Sequence, residues 1–277
     1  MANKVWFITG TSKGFGRVWA EAALARGDRV AATARDIKTL QPLVDEYGEN
    51  VIALRLDVND RRAVFDTVAE VQRRFGRIDV AVNNAGYGLF GAVEEVSEAE
   101  ARAQLETNVF GALWVTQAVL PIMRAQKSGH ILQVSSIGGL NAFPTVGLYH
   151  ASKWALEGFS TSLAFEVAPH GIKVTLIEPA GYATEWSGPS ASRATPIPAY
   201  DHAREAVQKW RSGNTPGDPL ATGAVVLKLV DMKEPPLRVF FGAGALPLTR
   251  AEYERRLASW EQWNWMAVEA QGNLPKP

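Results

Sequence analysis

The chain has 277 residues, 29 Lys and Arg against 29 Asp and Glu, and no cysteine. Balanced charge with no basic cluster interleaved with aromatics argues against nucleic acid as a partner. The missing cysteines exclude disulfides, thiolate catalysis and Cys-ligated zinc or iron–sulfur sites.

The length suits one large α/β domain, taken as residues 1–277. The N-terminal apolar segment Val5-Trp6-Phe7-Ile8 is too short for a signal-peptide core. The longest weakly polar stretch, Gly111 to Met123, falls short of the roughly 20 residues that span a bilayer. The expectation is a cytoplasmic protein with no membrane partner.

Seven β-branched runs read as strands: Lys4 to Thr9, Arg29 to Thr33, Val51 to Arg55, Asp79 to Val82, His130 to Val134, Lys173 to Ile177 and Arg238 to Phe241. Between them, Arg17 to Ala25 and Ala63 to Arg74 carry apolar residues at helical spacing. Strand and helix in alternation predict a doubly wound parallel sheet of the Rossmann type with helices on both faces. Its ligand crevice lies at the carboxyl ends of the strands.

The first strand ends in Thr9-Gly10-Thr11-Ser12-Lys13-Gly14-Phe15-Gly16, where a helix begins. Glycines there let the backbone approach a pyrophosphate, and the helix N-terminus offers free N–H groups to an anion. The spacing differs from the G-x-G-x-x-G dinucleotide fingerprint. Thr-Gly-x-x-x-Gly-x-Gly instead resembles the short-chain dehydrogenase/reductase family, and the resemblance runs from the first strand to the seventh.

The second strand ends Thr33-Ala34-Arg35, with Ala where an NAD-selecting carboxylate is expected. Arg35, and Lys13 in the glycine turn, would meet a 2′-phosphate, so the expected cofactor is NADP(H). An Arg35 paired with Asp36 or solvated is the structural alternative. By resemblance, Asp57 accepts from the adenine amino group and the Val58 amide holds the ring; N-capping is the other role open to Asp57. The family's Asn-Asn-Ala-Gly appears as Asn83, Asn84, Ala85 and Gly86. Asn83, Ala85 and Gly86 are taken as lining the cofactor cleft, and Asn84 as structural.

Asn108, in a helix, matches the family residue that holds a water behind the catalytic lysine; satisfying a bent helix is the alternative. The fifth strand ends at Ser136, which precedes Tyr149 by 13 residues, the family's spacing. Tyr149 and Lys153 are four apart and share one helix face. The resemblance implies Tyr149 as proton donor or acceptor, Lys153 as electrostatic tuner and ribose ligand, and Ser136 as anchor of the substrate oxygen. Glu178-Pro179-Ala180-Gly181-Tyr182-Ala183-Thr184 resembles the family's Pro-Gly-x-x-x-Thr, with Ala180 in place of the Gly. Pro179, Ala180, Gly181 and Thr184 would clasp the nicotinamide carboxamide. The four histidines have no metal-ligand spacing, so each is expected at the surface or in packing, and no metal is expected.

From about 185 to 217, the Gly/Ser/Pro-rich stretch Gly188 to Tyr200 and the helical pattern Asp201 to Arg211 read as a mobile loop and a lid. In the C-terminal extension, about 245–277, Trp260, Trp263 and Trp265 read as a helix docked on the body, with substrate or subunit contact as the lesser alternative. Expected substrate walls are Ile137 to Phe143, Tyr182, Trp186 and the 188–200 loop, which suit a bulky uncharged carbonyl compound. The leading expectation is a carbonyl reductase. A secondary-alcohol dehydrogenase of steroid, retinoid or polyketide type is the alternative. An NADP-sensing regulator is disfavoured by Ser136, Tyr149 and Lys153 occurring together. The resemblance also implies a homo-oligomer, dimer or tetramer, built through the helices carrying Asn108 and Tyr149.

Overall fold

Strand β1 (Val5–Ile8) is apolar throughout because both of its faces are covered. In the computed structural model, which describes residues 3–188 and 190–272, Trp6 and Ile8 pack with Trp19, Ala20 and Leu24 of α1 (Gly14–Ala25) and Val226 and Leu229 of α8 (Thr222–Asp231). Val5 and Phe7 face the opposite way, onto Val64 and Val68 of α3 (Arg61–Phe75), Val115 of α5 (Ala112–Gln126) and Leu163 of α6 (Gly147–Val167). Period-two alternation thus feeds two cores, one on each face of the sheet. Met1, Ala2, Pro189 of the predicted loop and the last five positions of the predicted extension, 273–277, lie outside the described residues.

The remaining strands are β2 (Arg29–Ala34), β3 (Val51–Arg55), β4 (Val80–Asn83), β5 (Leu89–Phe90), β6 (Gly129–Val134), β7 (Ile172–Pro179), β8 (Ser192–Arg193) and β9 (Arg238–Phe241). Seven form one parallel sheet in the order β3-β2-β1-β4-β6-β7-β9. The order reverses between β1 and β4, and the crevice beside that switch point receives the loops after both strands. This is the doubly wound Rossmann-type sheet read from the sequence, with β7 running two residues further, to Pro179.

Within the expected loop, β8 pairs with β5 through Leu89–Ser192 and Phe90–Arg193, and Ile197 N–H donates to Glu95 Oε1 at 2.6 Å. Arg204 of α7 (Asp201–Ser212) bonds the same carboxylate at 2.5 Å, so one buried glutamate joins the segment at Ile197 to α7.

A departure concerns α9 (Ala245–Gln271), which buries only Ala245 and Thr249. Trp260, Trp263 and Trp265 are 62%, 49% and 54% exposed, so the expected docking of these rings on the body does not occur. Leu257, Trp260, Trp263, Trp265, Met266 and Val268 are spread around the helix, and no single face could bury them. Among the described residues no helix is long and apolar enough to cross a membrane.

Candidate active site

The glycine turn is braced from the adjoining strand. Gly10 and Gly14 have φ of +69° and +61°, where a side chain would strain the backbone. Asn84 Nδ2 donates to the carbonyls of Thr9 and Gly10 at 2.9 and 3.0 Å, and Thr11 Oγ1 donates to the Thr33 carbonyl at 2.8 Å. No side chain caps α1 after Lys13, which leaves its first-turn amides, around Gly14, Phe15 and Gly16, to an anion or water.

Asn83 and Asn84 turn to opposite sides of the strand end. Asn83 Nδ2 donates to Thr116 Oγ1 at 3.0 Å and Gln133 Oε1 at 2.9 Å, so its side chain points into the core and only its backbone is left to the cleft side. Asn84 is the residue at the glycine turn. Adjacent side chains at a strand end point to opposite sides, so only one of the two could face that turn.

Arg35 is exposed at the end of β2 and has no ion pair among the described residues, while the Asp36 carboxylate accepts from the Lys38 amide. The Arg35–Asp36 alternative is therefore not what forms. Lys13 is engaged: its ammonium pairs with Glu185 across the cleft. Asp57 is exposed at the end of β3 and accepts from Asn59 N–H at 3.0 Å, and it is Asp60 that caps α3. Val58 is buried against Gly111.

Ser136 follows the end of β6, and its Oγ accepts from Gly138 N–H at 3.0 Å. Tyr149 and Lys153 are buried on α6, with Lys153 Nζ 5.8 Å from the Tyr149 ring centroid and donating to the Val134 carbonyl at 2.7 Å. Burial pushes the Tyr149 phenol up to about 12, against a downward pull from Ser136. Burial pushes the Lys153 ammonium down to about 8, against the opposing charge of Glu157.

Asn108 sits in a π-helical segment, Glu106–Gly111, in place of the regular helix expected. It bonds both backbone groups of Tyr87 at 3.1 Å and donates to Ser152 Oγ at 3.0 Å. Gly86 leaves the space in which this residue and the lysine meet. A Cβ on Gly86 would lie 3.0 Å from Asn108 Oδ1 and 3.8 Å from Lys153 Nζ.

After β7 the Ala180 N–H donates to the Phe241 carbonyl at 2.8 Å, and the Gly181 carbonyl accepts from Gly217 N–H at 2.9 Å. Ala180 in the glycine position is thereby accommodated, with the backbone anchored on both sides. Tyr182, expected as a substrate wall, instead packs edge-on against Phe15, 5.0 Å between ring centroids, and over Gly217. Trp186 packs on Tyr149 and on Phe90, at 4.9 and 5.1 Å. Phe143 stacks on Trp210 of α7 at 5.5 Å. His150 is held by the Gly138 carbonyl and the Phe143 amide, a packing role.

Sequence reading missed the Glu95 clamp and a buried pair of carboxyls, Glu157 and Glu178, that share Arg238. Only Glu157 had a local signal, its position four residues beyond Lys153.

A family model described as short chain dehydrogenase matches residues 4–194. The chain is 44% identical over 271 residues to the oxidoreductase BOA17 of Botryotinia fuckeliana, covering 96% of this chain and 98% of that one. It is 34% identical over 254 residues to a 3-ketodihydrosphingosine reductase of Bacteroides thetaiotaomicron, covering 87% of this chain and 89% of that one. The crystal structure of a short-chain dehydrogenase from Streptomyces avermitilis superposes with a TM-score of 0.91 at 38% identity, over 97% of this chain and 98% of that one. The chain belongs to the short-chain dehydrogenase/reductase family of oxidoreductases.

Proposed function

We propose that the protein is an NADP(H)-dependent carbonyl reductase that interconverts a bulky apolar ketone or aldehyde with its alcohol. The observation that carries this reading is the convergence of Ser136, Tyr149, Lys153 and Asn108 beside the carboxyl ends of β4 and β6.

The residues present fit a dinucleotide phosphate. The positive-φ glycines and uncapped α1 suit a pyrophosphate, unpaired Arg35 suits a 2′-phosphate, and the exposed Asp57 carboxylate suits an adenine amino group. Pro179 to Thr184 would hold the nicotinamide, and Lys153 the ribose. When bound, that cofactor supplies the hydride.

The rest of the chemistry belongs to side chains. Ser136 Oγ, which accepts from the Gly138 amide, keeps its hydroxyl proton for the substrate oxygen. Tyr149, protonated at neutral pH by burial, gives its proton to the developing alkoxide. The Lys153 ammonium stabilises the phenolate left behind, and Asn108 sits where a water could return the proton. Trp186, Phe90 and Phe143 supply apolar walls, and the similarity to a 3-ketodihydrosphingosine reductase supports ketone reduction. Exposed Phe110, Trp154 and Phe165, on the helical segments of Asn108 and Tyr149, support a homo-oligomer.

A panel of carbonyl compounds with NADPH consumption as readout identifies the substrate class. Tyr149→Phe should lower turnover by about 10²- to 10⁴-fold while NADPH affinity is kept. Unchanged turnover would reject the mechanism.

A further inference from the structure

Behind the catalytic lysine the fold buries two carboxyls and a single guanidinium. Glu157 stands one turn beyond Lys153 on α6, Glu178 at the end of β7, and Arg238 at the start of β9. Arg238 Nε is 2.9 Å from Glu157 Oε2 and 3.4 Å from Glu178 Oε1. A second guanidinium nitrogen donates to Thr161 Oγ1 at 2.6 Å. Glu157 and Glu178 are 5% and 1% exposed, and among the described residues Glu157 Oε1, Glu178 Oε1 and Ser135 Oγ have no hydrogen-bond partner. A side chain on Gly139 would strike both Ser135 Oγ and Glu157. Two buried carboxylates cannot both be neutralised by one arginine, so the pair retains a proton at neutral pH.

Building on the proposed role of Lys153, we infer that Glu157, Glu178 and Arg238 form a proton-holding cluster that keeps the Lys153 ammonium charged, with Glu157 as the positioning residue. Glu157 has the closer guanidinium contact and keeps its charge, while Glu178 keeps the proton. Burial raises both carboxyls and the Arg238 charge pulls both back, while repulsion from Glu157 is a further rise at Glu178. The groups facing Lys153 are the Val134 carbonyl from β6, Asn108 from the π segment, Gly86 after β4 and Tyr149 from its own helix, with Glu157 one turn further along that helix. Of these, Glu157 is the charge that favours the ammonium.

The test follows Lys153 directly, by the pH titration of its side-chain carbon signal in protein labelled with ¹³C at lysine Cε and assigned by its loss in Lys153→Arg. Glu157→Gln should lower the lysine midpoint by roughly one pH unit. Glu157→Asp should return it toward the parent value, and Glu178→Gln, which mimics the protonated acid, should leave it in place. If Glu157→Gln does not fold, Arg238→Gln replaces it: without the guanidinium both carboxyls take up protons, and the lysine midpoint should fall in the same way. An unmoved midpoint, or an equal fall in Glu178→Gln, overturns the inference. Loss of turnover in Tyr149→Phe beside an unmoved midpoint overturns the cluster's role alone, whereas full turnover in Tyr149→Phe overturns the reading on which it rests.

Discussion

The indole of Trp186 packs 4.9 Å from the phenol ring of Tyr149 and lies over Gly88, where a Cβ would come within 2.7 Å of it. Trp186 belongs to the short turn that Thr184 caps, so the turn that follows the segment expected to clasp the nicotinamide walls Tyr149, the proposed proton donor. Arg211 of α7 stands over the rings of Trp186 and Phe90, at 5.9 and 5.2 Å, and covers this wall from the lid side.

Trp186→Ala should therefore act on the carbonyl substrate and spare the cofactor. Losing one partly buried aromatic wall costs about 1–2 kcal/mol of apolar contact, which corresponds to a KM increase of roughly tenfold for a bulky substrate. NADPH affinity, measured by fluorescence titration, should be unchanged. An unaltered KM across a series of ketones of increasing size would remove Trp186 from the substrate wall.

In the proposed function, cofactor choice rests on Arg35 and on the partner that Lys13 already has. Arg35→Ala should weaken NADPH binding by about tenfold and leave NADH nearly untouched, since only the 2′-phosphate distinguishes them. The Lys13–Glu185 pair spans the cleft with both side chains about half exposed, so opening it costs little. Glu185→Gln should free Lys13 and tighten NADPH binding by a few-fold. Equal dissociation constants for the two cofactors in the parent protein would refute the selection.

Glu95 should make the lid acid-sensitive. Its carboxyl is held below the ordinary range, chiefly by the Ile197 amide and then by Arg204, with the Ala92 amide contributing. A carboxyl depressed by folding adds stability above its unfolded pKa and loses it as pH falls through the folded one. Limited proteolysis between 188 and 200 should thus be slow at neutral pH and quicken as the medium drops below the usual glutamate range. Glu95→Gln should be cut faster at neutral pH and show a flatter pH response. Identical cleavage rates at all pH values would dissociate Glu95 from the lid.

What was legible in the sequence was local. The glycine turn, the four-residue step from Tyr149 to Lys153 and the seven strands each announce themselves within a few residues, and right-handed crossovers make a doubly wound sheet the simplest topology, whose strand order the structure supplies. Contacts closed over long separations left no such trace: Glu95 and Arg204 are 109 residues apart, and Arg238 reaches back 81 residues to Glu157. Which way the Asn83 and Asn84 side chains point was not legible either, because a one-residue shift of strand pleat exchanges the core and the cleft. The tryptophans of α9 misled for a different reason, since apolar composition without a stripe does not say which surface, if any, a helix meets.

Gly16 offers a test in which packing and binding are coupled. It lies in the first turn of α1, and a methyl group there would come within 2.5 Å of both the Gly10 carbonyl oxygen and Asn84 Nδ2. Those two groups are already bonded to each other at 3.0 Å, so Gly16→Ala must move either the turn or the asparagine that braces it. Overpacking of this kind costs about 1–3 kcal/mol and should lower the melting temperature of the free protein. It should also weaken NADPH binding, because the displaced backbone is the surface a pyrophosphate must approach. Gly14→Ala supplies the contrast. That residue has φ of +61° and no atom within 4 Å of an added Cβ, so its substitution brings backbone strain of about 1–2 kcal/mol without a clash. Both variants should melt earlier, and Gly16→Ala should lose the greater share of cofactor affinity. Equal losses in binding would mean that backbone conformation, and not the close contact at Gly16, limits approach to the turn.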